Sequence, residues 1–333
     1  MELRPLGKTG LTVSALGFGC GAIGGLMVKG DPGEQERAVA RAIDAGIRYF
    51  DTAPSYGDGR SEEHLGRVLR DLGSARTERI VVGTKLRVDA GVAAGPAAGV
   101  TKAIRESVEQ SLRRLGRERV HLMQLHNQIA VRADANGRGL TPEQVTGPVA
   151  EGLRAVREAG LVEHVGFTAT GDPAAVRRVV ESGAVETGQF YFNALNPSAG
   201  YAGAAEPGRV DFDGVIDVAA AREVGVIVIR SLAAGAVTAS EVRHANAGGT
   251  GGIVGERYED DVRKAQALSA LAADLGLDGP VELALRFAMG KASVSTVIVG
   301  FSSEPQLADA LRWAERGALP PDATRQVLEL SRR

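Results

Sequence analysis

Four polar side chains stand at or just after the ends of apolar runs, and together they could move a proton onto a carbonyl oxygen. Asp51 follows the run 47–50, Tyr56 lies in the loop after it, and Lys85 and His126 mark the ends of the next two runs. A tyrosine can act as a general acid, and a nearby ammonium group favours its ionised form, which eases proton exchange near neutral pH. Lys85 would supply that charge, Asp51 would hold Lys85 protonated, and a neutral His126 would orient the carbonyl.

Each of these residues also has an ordinary structural interpretation. Asp51 could cap a turn, the Lys85 side chain could extend to solvent, and His126 could be a core histidine with its hydrogen bonds satisfied. Tyr56 could be a surface turn residue. The four occur at three consecutive run ends and in the adjoining loop, which argues against coincidence. A buried aspartate or lysine alone would also be costly, so we expect Asp51 and Lys85 to pair.

The elements that must position these residues alternate along the chain. Eight short apolar runs, most rich in β-branched residues, indicate buried parallel strands, and longer amphipathic stretches between them indicate helices. Repeated strand-helix units predict a (β/α)8 TIM barrel whose active site lies at the C-terminal mouth, as a single domain over residues 1–333 with an N-terminal β-hairpin over 3–13. The predicted strands are 16–19, 47–50, 80–83, 120–125, 162–167, 187–192, 226–229 and 295–299; the predicted helices are 34–45, 61–72, 101–115, 149–159, 173–182, 212–223 and 260–275.

Two helix starts and three irregular segments complete this pattern. Asp172 before Pro173, and Ser61 before two glutamates, are typical of capped helix N-termini. The segments 87–100, 129–147 and 232–259 are rich in glycine and each follows a strand. They could be solvated loops, or they could form a rim over the substrate, with 248–255 as a mobile flap. Both interpretations stay open, and 248–255 is no Walker loop because no GK[ST] sequence follows it.

Composition excludes several classes of function. The 333-residue chain has a formal net charge of −2, with 44% hydrophobic and 24% charged residues, so it carries no broad field that would attract nucleic acid or anionic membrane. No apolar run approaches the roughly 18 residues of a membrane span, and the N-terminus lacks a signal-peptide core. The chain has a single cysteine, Cys20, which we interpret as a buried thiol and not as a nucleophile. Because one cysteine cannot form an intramolecular disulfide, a reducing compartment is favoured, and we expect a cytoplasmic protein. No pattern predicts a metal site or an oligomeric state.

Several stretches resemble the aldo-keto reductase family, and the resemblance spans nearly the whole chain. It implies a (β/α)8 barrel, a dinucleotide that binds in extended form across the C-terminal mouth, and Asp51, Tyr56, Lys85 and His126 as catalytic residues. No Rossmann glycine fingerprint occurs, which is also true of the family. The matching stretches are 5-PLGKTGLTVSALGFG-19, 46-GIRYFDTAPSYGDGRSEEHLG-66, 82-VGTKL-86, 121-HLMQLHN-127 and 297-VIVGFSSEPQL-307.

The resemblance also implies a set of cofactor contacts, and some of them depart from the family pattern. Thr168-Ala169 stands where relatives usually carry Ser-Asn for the nicotinamide carboxamide, whereas Gln189 matches the other carboxamide contact. Arg230 replaces an aromatic residue that often stacks on the nicotinamide. The resemblance favours NADP(H), the usual cofactor of the family, but 300–306 contains no base for a 2'-phosphate, so NAD(H) stays possible. The implied cofactor contacts are Thr168, Gln189, Arg230, Ser231, Gly300, Phe301, Ser302, Ser303 and Gln306.

The resemblance leaves two kinds of protein open. One is an NAD(P)(H)-dependent oxidoreductase that acts on a small carbonyl compound or the corresponding alcohol, in either direction. The other is a non-enzymatic regulatory relative that senses redox state, as channel-associated β subunits do. The complete set of four residues favours the enzyme. Aromatic residues make up only 4% of the chain, which favours a polar, sugar-like substrate over a polyaromatic one.

Overall fold

Eight parallel strands close into a barrel in a computed structural model that describes residues 1–132, 139–240 and 258–332. Each strand pairs with its neighbours in chain order, and the last strand pairs with the first. All eight predicted strands are therefore confirmed, with small shifts at their ends. The strands are β1 (Leu16–Gly19), β2 (Tyr49–Asp51), β3 (Val81–Leu86), β4 (Val120–Leu125), β5 (Val162–Ala169), β6 (Thr187–Tyr191), β7 (Gly225–Ile229) and β8 (Thr296–Gly300).

Helices surround the barrel. The seven helices predicted from periodicity are all present, and three further helices, α8 to α10, were not predicted. The main helices are α1 (Pro32–Asp44), α2 (Arg60–Asp71), α3 (Ala97–Leu115), α4 (Ala150–Glu158), α5 (Pro173–Glu181), α6 (Val215–Ala221), α7 (Tyr258–Asp274), α8 (Pro280–Met289), α9 (Glu304–Glu315) and α10 (Pro321–Ser331). Shorter helical pieces are Gly7–Thr9, Leu26–Lys29, Ser74–Thr77, Ala90–Ala93, Pro142–Gln144, Val145–Val149 and Ala233–Thr238.

The N-terminal hairpin closes one end of the barrel, as the sequence predicts. Its strands Leu3–Pro5 and Thr12–Ser14 pair in antiparallel register. Leu6 and Val13 are fully buried and pack against a small cluster of inward-facing barrel residues that includes Tyr49. The mouth that carries the C-terminal strand ends is therefore the open end.

The side chains of strand β3 alternate between the interior of the barrel and the core beneath the helices. Val81 packs in the cluster inside the barrel, whereas Val82 and Leu86 pack in the larger core between the barrel and the helices. Because successive side chains of a strand point to opposite faces, Lys85 points into the barrel together with Val81. The outward neighbour Thr84 donates a hydrogen bond of 2.6 Å to Glu62 on α2.

One of the two expected helix caps is confirmed and the other is wrong. The Asp172 carboxylate accepts a hydrogen bond from the Ala175 amide at the start of α5. Ser61 is not a cap, because α2 begins at Arg60 after Gly59 in left-handed conformation. The Ser61 hydroxyl is buried instead, where it donates to the Cys20 carbonyl at 2.8 Å and bonds Thr52 at 2.7 Å.

The irregular segments contain more structure than expected. The stretch 87–100 includes the helix Ala90–Ala93 and the first turn of α3, and 232–240 includes the helical turn Ala233–Thr238. The proposed flap 248–255 and residues 133–138 lie outside the described residues. Within the described ranges, none of the helices combines the length and apolar character that crossing a membrane requires.

Candidate active site

Asp51, Lys85 and Tyr56 meet at the open end of the barrel. The Lys85 ammonium donates hydrogen bonds to Asp51 Oδ2 at 2.5 Å, to the Thr52 carbonyl at 2.9 Å and to the Tyr56 hydroxyl at 3.1 Å. The side chains of Lys85 and Asp51 are 1% and 5% exposed, whereas Tyr56 is only partly buried. The expected pairing of Asp51 with Lys85 is confirmed, and the pair is joined directly to the tyrosine that faces the mouth.

The surroundings of Lys85 keep it charged. Burial alone would lower its pKa, but the charge of Asp51 and the contact with Tyr56 outweigh that effect, so the pKa of Lys85 is raised above its usual value. Lys85 is therefore a fixed positive charge, 4.7 Å from the centre of the Tyr56 ring.

His126 completes the group from the adjacent strand. It directly follows β4, and its amide donates to the Leu86 carbonyl at 2.7 Å, which extends the β3–β4 pairing to the mouth. Its ring lies edge-on to Tyr56, with 6.1 Å between ring centres. Burial, together with the charges of Lys85 and Arg87, holds the pKa of His126 well below the ordinary value of 6.5. His126 is therefore neutral at neutral pH and can donate one hydrogen bond.

The second oxygen of Asp51 has partners that the sequence did not predict. Gln189 donates to Asp51 Oδ1 at 2.5 Å, and the Tyr49 hydroxyl donates to the same atom at 3.3 Å. Gln189 was expected to contact a carboxamide, and its amide nitrogen is held by Asp51 in this structure. Tyr49 could have been found from strand alternation, because it stands two residues before Asp51 on the same face of β2.

Thr168 is a neighbour of Gln189 with an unused hydroxyl. The two residues are paired across β5 and β6. Thr168 is buried, and its Oγ1 has no hydrogen-bond partner within the described ranges. Because buried polar atoms are normally hydrogen-bonded, this hydroxyl is suited to a bound molecule at the mouth.

A cavity of about 500 Å³ lies at the mouth, between the loops after β7 and β8 and helices α8 and α9. Gly24 lines it too, and a Cβ there would come within 2.5 Å of the Phe301 amide, so only glycine permits this approach of the β1 loop. Gly21, in the same loop, lies beside the Tyr56 ring. The β1 loop therefore extends from the cavity lining at Gly24 to the Tyr56 ring at Gly21. The cavity lining includes six of the nine expected cofactor contacts: Arg230, Ser231, Gly300, Phe301, Ser302 and Gln306.

The remaining three expected contacts lie elsewhere. Ser303 precedes α9 as its N-cap and does not line the cavity. Gln189 bonds Asp51, and Thr168 is paired with Gln189 across the sheet; neither residue lines the cavity. Sequence reasoning missed Asp309 and Trp313, which line the cavity from α9. No motif marks them, since their position depends on how α9 packs.

The family model for aldo/keto reductases matches residues 15–332, which is almost the whole chain. The chain belongs to the aldo/keto reductase family. Its fold agrees with an aldo-keto reductase from Bacillus halodurans in the holo form, with a TM-score of 0.72 and 22% identity, over 99% of this chain and 96% of that one.

Curated relatives match this aldo-keto reductase over different lengths. Pyridoxal 4-dehydrogenase from Microbacterium luteolum is 46% identical over 85 residues, which is 26% of this chain and only 24% of that protein. L-glyceraldehyde 3-phosphate reductase from Escherichia coli K12 is 27% identical over 92% of this chain and 86% of that protein. These matches support an oxidoreductase of the family and do not identify a substrate.

Two further observations concern thiol and metal chemistry in this aldo-keto reductase. Cys20 is buried, and burial raises the pKa of its thiol, which agrees with the interpretation as a buried thiol. Among the residues that the structure describes, no cluster of histidine, cysteine, aspartate or glutamate could hold a metal ion.

Proposed function

We propose that this chain is an NAD(P)(H)-dependent oxidoreductase that interconverts an aldehyde or ketone and the corresponding alcohol. The observation that carries the proposal is the single ammonium of Lys85, which bonds both the buried Asp51 and the half-buried Tyr56. A charge held in this position stabilises a tyrosinate, so the Tyr56 hydroxyl can give up or take back a proton at the mouth. This complete arrangement also supports an enzyme over a regulatory subunit.

Each of the four residues has a separate role. Tyr56 donates the proton to the substrate oxygen during reduction and accepts it during oxidation. Lys85 stabilises the negative charge that Tyr56 acquires, and Asp51 keeps Lys85 charged and in place. Neutral His126 donates a hydrogen bond that orients the carbonyl. The nicotinamide supplies or accepts the hydride when it is bound.

The residues around the mouth fit a dinucleotide. The cavity volume of about 500 Å³ is within the roughly 300–1,000 Å³ range of small-molecule sites. We propose that Arg230, Ser231 and Ser302 hold the phosphates and ribose there, together with Gly300, Phe301 and Gln306. The unpartnered Thr168 hydroxyl would bond the nicotinamide carboxamide. Gln189 would bond the same carboxamide, and its side chain would first have to turn away from Asp51.

We favour NAD(H) over the NADP(H) that is usual in the family. Among the described residues that line the cavity, Arg230 is the only base, and Asp309 places a carboxylate on the α9 side. Arg37 is another base near the start of α9, but it is paired with Glu304 at 2.8 Å and so is not available for a 2'-phosphate. A carboxylate accepts a hydrogen bond from a free ribose hydroxyl, whereas it repels the negative charge of a 2'-phosphate.

The decisive test is the change Tyr56→Phe. Loss of a general acid lowers the rate by about 100- to 10,000-fold. Dinucleotide binding should persist, because Tyr56 is not part of the cavity lining. Binding can be followed separately, since Trp313 is the only tryptophan of the chain and lines the cavity, so its fluorescence reports occupancy.

The matched control for this test is Tyr201→Phe, which removes a hydroxyl from an aromatic cluster with Phe192 and Phe287. It should keep wild-type turnover. Turnover of the Tyr56→Phe protein within a few fold of wild type would overturn the role of Tyr56 and, with it, the proposed mechanism.

A further inference from the structure

Arg87 directly follows β3 at the mouth and contacts His126 of the proposed catalytic group. Lys85 points into the barrel and Leu86 packs in the outer core, so alternation turns Arg87 toward the mouth. The Arg87 Nε donates to the His126 carbonyl at 3.3 Å, which holds the side chain against the residue that would orient the substrate.

The backbone beneath Arg87 is fixed by two hydrogen bonds. Asn127 Oδ1 accepts from the Val88 amide at 3.0 Å, and Asn127 Nδ2 donates to the Val88 carbonyl at 2.8 Å. Val88 is buried in the outer core, while Arg87 is exposed. The base of the arginine is therefore held firmly, and its charged end is accessible to a small molecule.

The charge of Arg87 is not neutralised within the part of the chain that the structure describes. No carboxylate there lies within salt-bridge distance of it, and its Nη groups have no hydrogen bond. The nearest acid in sequence, Asp89, accepts hydrogen bonds from the Gly91 and Val92 amides instead. Lys85 differs, since Asp51 balances its charge.

We propose that Arg87 binds an anionic group of the substrate, a carboxylate or a phosphate, while the carbonyl of the same molecule lies at Tyr56 and His126. This inference rests on the proposed function and narrows its substrate class to small carbonyl compounds that carry a negative charge. A guanidinium group offers paired N–H donors that match either anion, and it stays charged at all relevant pH values.

The test compares substrates that differ only in the anion. The pairs are succinic semialdehyde with butanal, and glyceraldehyde 3-phosphate with glyceraldehyde; the pair that shows a preference identifies carboxylate or phosphate. We expect wild-type kcat/KM to favour the charged member by about 10- to 100-fold, the usual range for a charge-assisted hydrogen bond. Arg87→Met should remove that preference, and comparing the two substrates within the same variant cancels any general effect of the change on His126.

Two further variants separate the contact from general charge effects. Arg87→Lys keeps the charge but not the paired donors, so it should retain only part of the preference. Arg325→Met removes an exposed positive charge from α10 and should retain all of it. A wild-type protein without preference, or a preference that survives Arg87→Met, would overturn the inference while the proposed function stands.

A binding measurement covers the case in which no aldehyde is turned over. That result would contradict the proposed function, and titration calorimetry with succinate, glycerol 3-phosphate and glycerol would then decide about Arg87 alone. Binding of one of the two anions that weakens at least about tenfold in Arg87→Met, with glycerol unaffected, supports the anion site. Equal binding of the anions by both proteins overturns it.

Discussion

At the residue scale, the buried pair of Asp51 and Lys85 links folding to the proposed chemistry. Lys85 makes three hydrogen bonds from one nitrogen, and Asp51 accepts from Lys85, Gln189 and Tyr49. Removing one member of such a pair leaves an uncompensated charge buried away from water, which lowers the free energy of unfolding by about 3–5 kcal/mol. Replacing both members removes the lone charge.

We therefore expect Lys85→Met to lose both activity and stability, and the double change Asp51→Asn with Lys85→Met to recover much of the stability but no activity. The double variant stays inactive because nothing stabilises the Tyr56 anion. Thermal midpoints and turnover rates of the single and double variants check this. Lys102→Met, at an exposed position on α3, is the control for the loss of a lysine. An active double variant would mean that Lys85 does not assist Tyr56.

At the element scale, the contact between α2 and α3 supports the strand that carries Lys85. Glu62 on α2 is fully buried and bonds both Thr84 of β3 and Arg114 of α3, each at 2.6 Å. The two helices approach closely at Gly66, where a Cβ would lie within 2.8 Å of Leu115 Cα and overlap the Leu115 carbonyl. Because these are backbone atoms of α3, they cannot move aside to relieve the overlap as the end of a flexible side chain could.

Replacement by alanine should thus destabilise the protein at one helical glycine and not at another. Gly66→Ala gains helix propensity but overlaps backbone, and we expect a net loss of about 1–3 kcal/mol. Gly99 lies in the exposed first turn of α3 with no atom near a Cβ, so Gly99→Ala should be neutral or gain up to about 1 kcal/mol. Urea unfolding of both variants measures the difference. A Gly66→Ala protein as stable as wild type would contradict the close contact.

At the scale of the whole molecule, the loops after different strands join to form the mouth. Asn193 after β6 donates to the Arg230 carbonyl after β7 at 3.1 Å. The buried pair of Arg209 and Asp261 ties the loop between β6 and α6 to α7. A ligand that contacts several of these loops binds only the folded barrel, so it should stabilise the protein by mass action.

Thermal unfolding with added dinucleotide tests this property and the cofactor preference together. At a concentration 100 times its Kd, a ligand raises the free energy of unfolding by about 2.7 kcal/mol. We expect NAD+ to raise the Tm more than NADP+ at equal concentration, and Ser302→Arg to reduce that difference by adding a base at the cavity. A larger shift with NADP+ would refute the preference for NAD(H), and no shift with either would refute the cavity as the cofactor site.

The sequence by itself determined the strand order, the N-terminal hairpin and the placement of Asp51, Tyr56, Lys85 and His126 at one mouth. These features follow from local patterns: apolar runs define the strands, and polar residues at their ends must converge when a parallel barrel closes. The pairing of Asp51 with Lys85 also followed, because neither charge is tolerated alone when buried.

Only the tertiary structure decided which side chains surround that group. Gln189 reaches Asp51 across 138 positions of sequence, and Asp309 and Trp313 line the cavity through the packing of α9, which no local pattern predicted. The hydroxyl of Ser61 resembled a helix cap in sequence, yet the fold buries it against Cys20 and Thr52. Hydrogen bonds of this kind depend on distances between elements, and those distances are set by packing around the closed barrel and not by the residues beside them in the chain.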